Sequence, residues 1–180
     1  IEESIHLVGH SYGGTICYFF SLTTPEKIKS LTLIEPMLGW LLNSESNNKI
    51  YQELSDVAED FFQNYLAGTP EKGIENYFDY WNGKGAWKKL DKELSHYVLE
   101  GAEKNYYEFD AILHGGADLP EPETFSQPTL LIGGTQSNAP PLRVLKILEK
   151  RLPDVRSRLV DGATHMSPIT HCVFMIMVIR

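Results

Sequence analysis

The sequence predicts an α/β fold, a mostly parallel sheet with helices on its faces and a helical insertion between its two halves. Three observations predict it. A strand, a glycine-rich turn and a helix open the chain and lead to a second apolar strand. A long stretch of helical periodicity follows, and after Pro128 the strand–helix–strand alternation returns. Alternation of this kind builds a parallel sheet, because each crossover carries the chain back to the same end of the sheet.

Ile5-His6-Leu7-Val8 is a short apolar-rich run that meets Gly9 and Gly13-Gly14, and Thr15 to Leu22 is long and apolar enough for a buried helix. Pro25-Glu26-Lys27-Ile28 makes a turn. Leu31-Thr32-Leu33-Ile34 then reads as a buried strand, ended by Glu35-Pro36, since the residue before a proline is driven out of the helical region. From Leu38 to Glu123 helical spacing takes over, in Ile50, Leu54, Val57, Phe61 and Tyr65 and again in Leu90, Leu94, Tyr97 and Val98. Turn signals break this stretch at Gly68-Thr69-Pro70 and Asn82-Gly83-Lys84-Gly85, and Pro120, Pro122 and Pro128 mark its exit. Leu130-Leu131-Ile132 is a strand, Leu142 to Leu152 an amphipathic helix, and Val155 to Val160 a strand before Gly162. The expected organisation is core over residues 1–37, a helical insertion over 38–123, and core again over 124–180. There is no internal repeat and no low-complexity segment.

Composition narrows the function. With 42% hydrophobic and 22% charged residues, the chain has the make-up of a globular domain with a real core. A formal net charge of -8 argues against nucleic acid as a partner, because such binders need a basic footprint that releases counterions. Cys17 and Cys172 lie far apart in apolar surroundings, so neither a disulfide framework nor a CxxC metal or redox site is expected, and reduced thiols point to the cytoplasm. No cofactor and no metal are called for. No basic, then apolar, leader opens the chain, and the longest apolar run, Val173 to Ile179, is far shorter than the roughly 20 residues of a membrane span. The chain starts at Ile1 rather than Met, almost on top of its most informative motif, and so reads as a fragment.

That motif is Gly9-His10-Ser11-Tyr12-Gly13-Gly14. A serine that attacks an acyl group must project from a turn so tight that its neighbours two residues away are small, here Gly9 and Gly13. Gly-x-Ser-x-Gly between a strand and a helix is the nucleophile elbow. The turn also aims the Tyr12 backbone N–H at the place where an oxyanion forms, near the positive end of the helix. A phosphate loop is the competing explanation, but neither GxGxxG nor GxxxxGK[ST] fits these residues. His10 is expected to turn away from Ser11 and to pack or line the substrate site rather than act as base.

Leu7-Val8-Gly9-His10-Ser11-Tyr12-Gly13-Gly14, with Gly162-Ala163-Thr164-His165-Met166, resembles the nucleophile elbow and the catalytic-histidine loop of the α/β-hydrolases. The resemblance spans almost the whole chain, from the fifth strand of that family's sheet to the eighth, with residues 38–123 in the position of the cap. It implies Ser11 as nucleophile and His165 as general base, an imidazole being the group that titrates near neutrality. His171 is the rival base; His6 and His96 read as strand and helix-face residues. The family most often takes its acid from the loop after the seventh strand, at the position aligned with Ser137 in Gly134-Thr135-Gln136-Ser137-Asn138, where no carboxylate stands. A subset places the acid after the sixth strand, which here is Glu35. A carboxylate closing an apolar run also wants a partner, because burying it alone is costly. Asp161 is the weaker candidate.

The resemblance also implies a cap that roofs the site. Trp40, Phe61, Phe62, Tyr65, Tyr77, Phe78, Trp81 and Trp87 make the insertion rich in aromatic residues, which suits a small to medium apolar substrate, and His10, Trp40 and Met166 are the expected substrate contacts. A serine nucleophile disfavours carbon–halogen cleavage, which in this fold needs an aspartate, and leaves ester, thioester or C–C hydrolysis through an acyl-serine, with perhydrolysis on the same triad. The family's second oxyanion donor and the strand beside Ile5 to Val8 would precede Ile1, so an open apolar edge is expected. The end of the chain departs too: Val173 to Ile179 has no polar face where the family closes with an amphipathic helix, and reads as truncated or altered. The alternative is a non-catalytic scaffold that holds a small apolar ligand, motivated by Ser137 and by the missing strands.

Overall fold

A computed structural model describes residues 3–179. Four parallel strands, β1 (Ile5–His10), β2 (Ile28–Ile34), β3 (Thr129–Gly134) and β4 (Val155–Val160), form one sheet in the order β1-β2-β3-β4. Leu7 pairs with Leu31, Leu33 with Leu131, and Gly134 with Val160. Because every strand runs the same way, the chain leaves all four at one edge. Ser11, Glu35, the loop after Gly134 and the loop carrying His165 are thereby gathered at the carboxyl ends of neighbouring strands, where ligands bind in open α/β sheets.

The central strands are the most apolar and the most buried. Leu31, Leu33, Leu131 and Ile132 are shut off from solvent, and each fully buried side chain of this size contributes roughly 1.5–3 kcal/mol. Against Leu31, Leu33 and Leu131 pack Tyr18 and Leu22 of α1 (Ser11–Thr23) and Val144, Leu145 and Leu148 of α6 (Ala139–Arg151), while Ile132 packs with Ile34, Val160 and Ala163. The helix expected over 15–22 therefore begins at Ser11, directly on the end of β1. It is not buried all round: Ile16 is 53% exposed, because only the stripe through Thr15, Tyr18 and Leu22 meets the sheet.

Between β2 and β3 stand four helices, α2 (Asn48–Leu66), α3 (Pro70–Asn82), α4 (Lys92–Glu100) and α5 (Ala102–His114). Pro70 starts α3 where its missing N–H costs nothing, and the Asp91 side chain accepts the Leu94 N–H to cap α4. Leu54, Ala58 and Phe61 of α2 bury against Phe109 and Ile112 of α5, with the Phe61 and Phe109 rings 5.4 Å apart. The second apolar stripe behaves differently from its periodicity. Leu94 and Tyr97 are 46% and 73% exposed, whereas Leu90 and Val98 of the same stripe pack, with Leu99, against the buried core. After the β4 loop come α7 (Ser167–Thr170) and α8 (Cys172–Ile179), on which Val173, Ile176 and Met177 are exposed. No helix among the described residues is long and apolar enough to cross a membrane.

Candidate active site

The nucleophile elbow is built by close approach. A Cβ on Gly9 would lie 2.6 Å from Cys17 Sγ and from the Gly13 carbonyl, and one on Gly14 would lie 3.0 Å from Pro36 Cβ. Gly13 corrects the expectation drawn from the motif: it is exposed, and among the described residues a Cβ there would meet nothing within 4 Å. The tight contacts are thus at Gly9, which faces the helix that follows, and at Gly14, which faces Pro36 and the Gly9 carbonyl. Ser11 itself takes φ 54°, and the one other described non-glycine residue with positive φ is Glu35, at 44°. Left-handed backbone in residues of this kind costs about 1–3 kcal/mol and gathers where geometry serves chemistry.

From Ser11 a continuous path of hydrogen bonds runs inward. The Ser11 hydroxyl donates to Nε2 of His165 at 2.9 Å, and Nδ1–H of His165 donates to Oε2 of Glu35 at 2.8 Å. His165 is 4% exposed and Glu35 0%. The carboxylate's other oxygen, Oε1, accepts the Gly134 N–H at 2.7 Å and the Ser137 hydroxyl at 2.5 Å. Burial alone would push the Glu35 carboxyl up. The donors on His165, Ser137 and Gly134 outweigh it and hold the group below its ordinary value, so it is ionised. An ionised carboxylate can only accept, which places the proton of the imidazole on Nδ1 and leaves Nε2 free to take one from Ser11.

The histidine loop is held from three sides. Gly162, at φ 70°, turns the chain after β4, and its N–H donates to the Thr135 hydroxyl. Nε2–H of His10 donates to the His165 carbonyl at 2.8 Å, and burial holds the His10 imidazole neutral by lowering its pKa. His10 does not turn away from Ser11, as the sequence led one to expect; it lines the same cavity, because the helix starts immediately after it. On the third side the Trp81 indole covers the His165 ring.

The other histidines lie elsewhere. His171 bonds the Thr170 hydroxyl, His6 bonds Ser30 and His96 pairs with Glu100 on an exposed helix face. Asp161 accepts from Thr135 in a surface turn. Among the described residues no three His, Cys, Asp or Glu side chains gather as a metal-holding group.

A cavity of about 540 Å³ opens above Ser11, lined by His10, Tyr77, Phe78, Trp81, His165 and Met166 among others. A recess of about 20 Å³ also touches Ser11, against Tyr12, Met37, Phe109 and Ile112, and shares Tyr77 and Trp81 with the cavity. The backbone N–H of Tyr12 belongs to the first turn of α1, where helical N–H groups lack partners within the helix. Trp40 is the expected contact that the fold removes. The short 3-10 turn Gly39–Leu42 swings its indole against Phe19, ring centroids 5.4 Å apart, and away from the cavity. Met37 stands beside Ser11 instead, held by the Thr15 hydroxyl on its carbonyl. Trp81 was not among the expected contacts, although Tyr77, Phe78 and Trp81 fall at i, i+1 and i+4, a spacing that puts all three on one side of α3.

The sequence matches the family described as alpha/beta hydrolase fold over residues 2–171, and the chain belongs to that family of hydrolases. Pimeloyl-[acyl-carrier protein] methyl ester esterases from Aeromonas salmonicida and Aeromonas hydrophila are similar to it, at 24% and 25% identity over 176 residues, 95% of this chain and 67% of theirs. Ester hydrolysis is the activity those relatives are named for. Among solved structures, an esterase from Exiguobacterium antarcticum shares the fold with a TM-score of 0.68 at 13% identity, covering 98% of this chain and 67% of that one. Staphylococcus aureus MenH does so with a TM-score of 0.64 at 18% identity, covering 97% and 66%. The chain thus spans about two thirds of the length of the proteins it matches.

Proposed function

We propose that the protein is an ester hydrolase that works through an acyl-serine intermediate, with Ser11 as nucleophile, His165 as general base, Glu35 as the acid and the Tyr12 N–H in the oxyanion hole. The observation that carries this is the unbroken relay from the Ser11 hydroxyl through His165 to Glu35, at 2.9 and 2.8 Å. In the first step Nε2 of His165 takes the hydroxyl proton as Ser11 Oγ bonds to the carbonyl carbon. The resulting oxyanion accepts from Tyr12 N–H, and the imidazolium is stabilised by Glu35. Nε2–H then protonates the departing alcohol as its bond to carbon breaks. Water, deprotonated by the same nitrogen, releases the acid and restores Ser11.

In this account residues 1–37 and 124–180 form the catalytic core and residues 38–123 the cap. The aromatic wall of Tyr77, Phe78 and Trp81 favours a small to medium apolar substrate, and an ester is preferred over a thioester or C–C bond because the relatives of known activity are named as methyl ester esterases. His10 and Met166 contact that substrate. The two free cysteines, Cys17 and Cys172, suit a reducing cytoplasm. Ser137 speaks for catalysis rather than against it, since it donates to a carboxylate instead of replacing one.

The test is labelling with a fluorophosphonate probe and turnover of p-nitrophenyl butyrate by the full-length protein. Both are expected in the wild type and absent in Ser11→Ala. A folded wild type that neither labels nor turns over would favour a ligand-binding scaffold.

A further inference from the structure

We propose that Ser137 is a positioning residue for the acid: its hydroxyl, with the Gly134 N–H, anchors one oxygen of Glu35 so that the other stays on His165. This rests on the relay assigned above. The geometry divides the carboxylate between two tasks. Oε1 takes Ser137 Oγ at 2.5 Å and Gly134 N at 2.7 Å, while Oε2 takes His165 Nδ1 at 2.8 Å.

Glutamate carries one more rotatable bond than aspartate, and here it hangs from a strand end in left-handed backbone. With His165 as its single contact, the carboxylate would exchange rotamers and lose the orientation that the imidazole needs. The Ser137 hydroxyl closes that freedom, and the loop that carries it is itself fixed. Thr135 N–H donates to the Val160 carbonyl, Gln136 N–H to Ala163, Ser137 N–H to Gly134, and the Asn138 side chain to the Tyr80 carbonyl on α3. A serine serving only the turn would direct its hydroxyl to solvent or to its own backbone. This one reaches across 102 residues of sequence to a buried charge.

A neutral donor also suits the site electrostatically. A second carboxylate at this position would stand within hydrogen-bond distance of the first, and two such groups cannot both ionise. The titratable groups facing Glu35 are His165 and, one ring further, His10.

The experiment compares Ser137→Ala, Ser137→Thr and Ser11→Ala in the full-length protein, with p-nitrophenyl butyrate as substrate and thermal unfolding as the control for folding. Ser137→Ala should lower kcat about 10-fold at unchanged KM, the size expected for losing one hydrogen bond to a charged group. It should also move the acid limb of the kcat/KM profile to higher pH, because a carboxylate with fewer donors is easier to protonate. Ser137→Thr keeps the hydroxyl and should restore both. If the alanine variant does not fold, Ser137→Cys, a near-isostere with a weak donor, must show the same two changes. Wild-type kcat and an unmoved acid limb in a folded Ser137→Ala, with Ser11→Ala inactive, would overturn the proposal and leave the relay standing. An active Ser11→Ala would remove the relay and the proposal together.

Discussion

The indole of Trp81 lies over the imidazole of His165, ring centroids 4.3 Å apart and planes tilted by 34°. In the proposed mechanism this imidazole becomes a cation, and an indole face attracts a cation by roughly 1–2 kcal/mol when water is excluded. Trp81→Leu is therefore expected to lower kcat about 10-fold, with a smaller loss for Trp81→Phe. Steady-state kinetics on a p-nitrophenyl ester check it. A change confined to KM would assign Trp81 to substrate binding instead.

Glu35→Gln should be far more damaging than its near-identical shape suggests. Gly134 N–H and Ser137 O–H both donate to Oε1, so the amide oxygen will take that place. The amide NH₂ then faces His165 and donates to Nδ1, which moves the ring proton to Nε2, where Ser11 must deliver its own. Loss of the acid in such triads costs on the order of 10⁴-fold in kcat. A Glu35→Gln enzyme within 10-fold of wild type would return the acid's role to another residue, with Asp161 next to be tested.

Two groups set an acid instability. His10 is held neutral with its pKa below the ordinary 6.5, so the unfolded chain binds its proton more readily and stability falls as pH drops below that value. Glu35 is held below its ordinary 4.5, so its contribution is present above that value and is lost as pH falls through its lower folded value. Unfolding temperature plotted against pH should decline first below 6.5 and again below 4.5. The second decline should be shallower in Glu35→Gln, and identical slopes in the two proteins would exclude Glu35 as its source.

The elbow glycines should separate cleanly. Gly9→Ala forces a Cβ to 2.6 Å from backbone and sulfur and should destabilise by about 2–4 kcal/mol, with loss of probe labelling. Gly13→Ala, with open space around its Cβ and a helical position, should fold as well as wild type or better by up to about 1 kcal/mol. Denaturant unfolding of both variants reads the difference.

The elbow and its histidine were legible because their geometry is made locally. Gly9 to Gly14 form a strand–turn–helix junction within six residues, and Gly162 turns the chain just before His165. Glu35 came from the family resemblance, which offers the end of the sixth strand where no carboxylate stands at Ser137, and the fold brings its carboxylate onto His165. That Ser137 grips this same carboxylate was not legible, because the bond joins two strand ends whose adjacency is set by sheet order rather than by sequence. Trp40 and Trp81 stand in each other's expected places for a similar reason. Composition marks both as aromatic wall, and only the 3-10 turn at Gly39–Leu42 and the direction of α3 decide which indole reaches His165. The stripe at α4 misled only at Leu94 and Tyr97, because periodicity reports a face and not how much of it is covered.

Ser11 and Glu35, the two left-handed side chains at adjacent strand ends, also set what kinds of change the protein tolerates. Glycine adopts that backbone without steric cost, so replacing Ser11 by glycine relaxes the chain at the very point where, on the proposed mechanism, it extinguishes the chemistry. Heat resistance and turnover pull in opposite directions there. A library of variants selected only for surviving high temperature would drift toward a sturdier, silent protein, and it would lose the proposed nucleophile among the first residues.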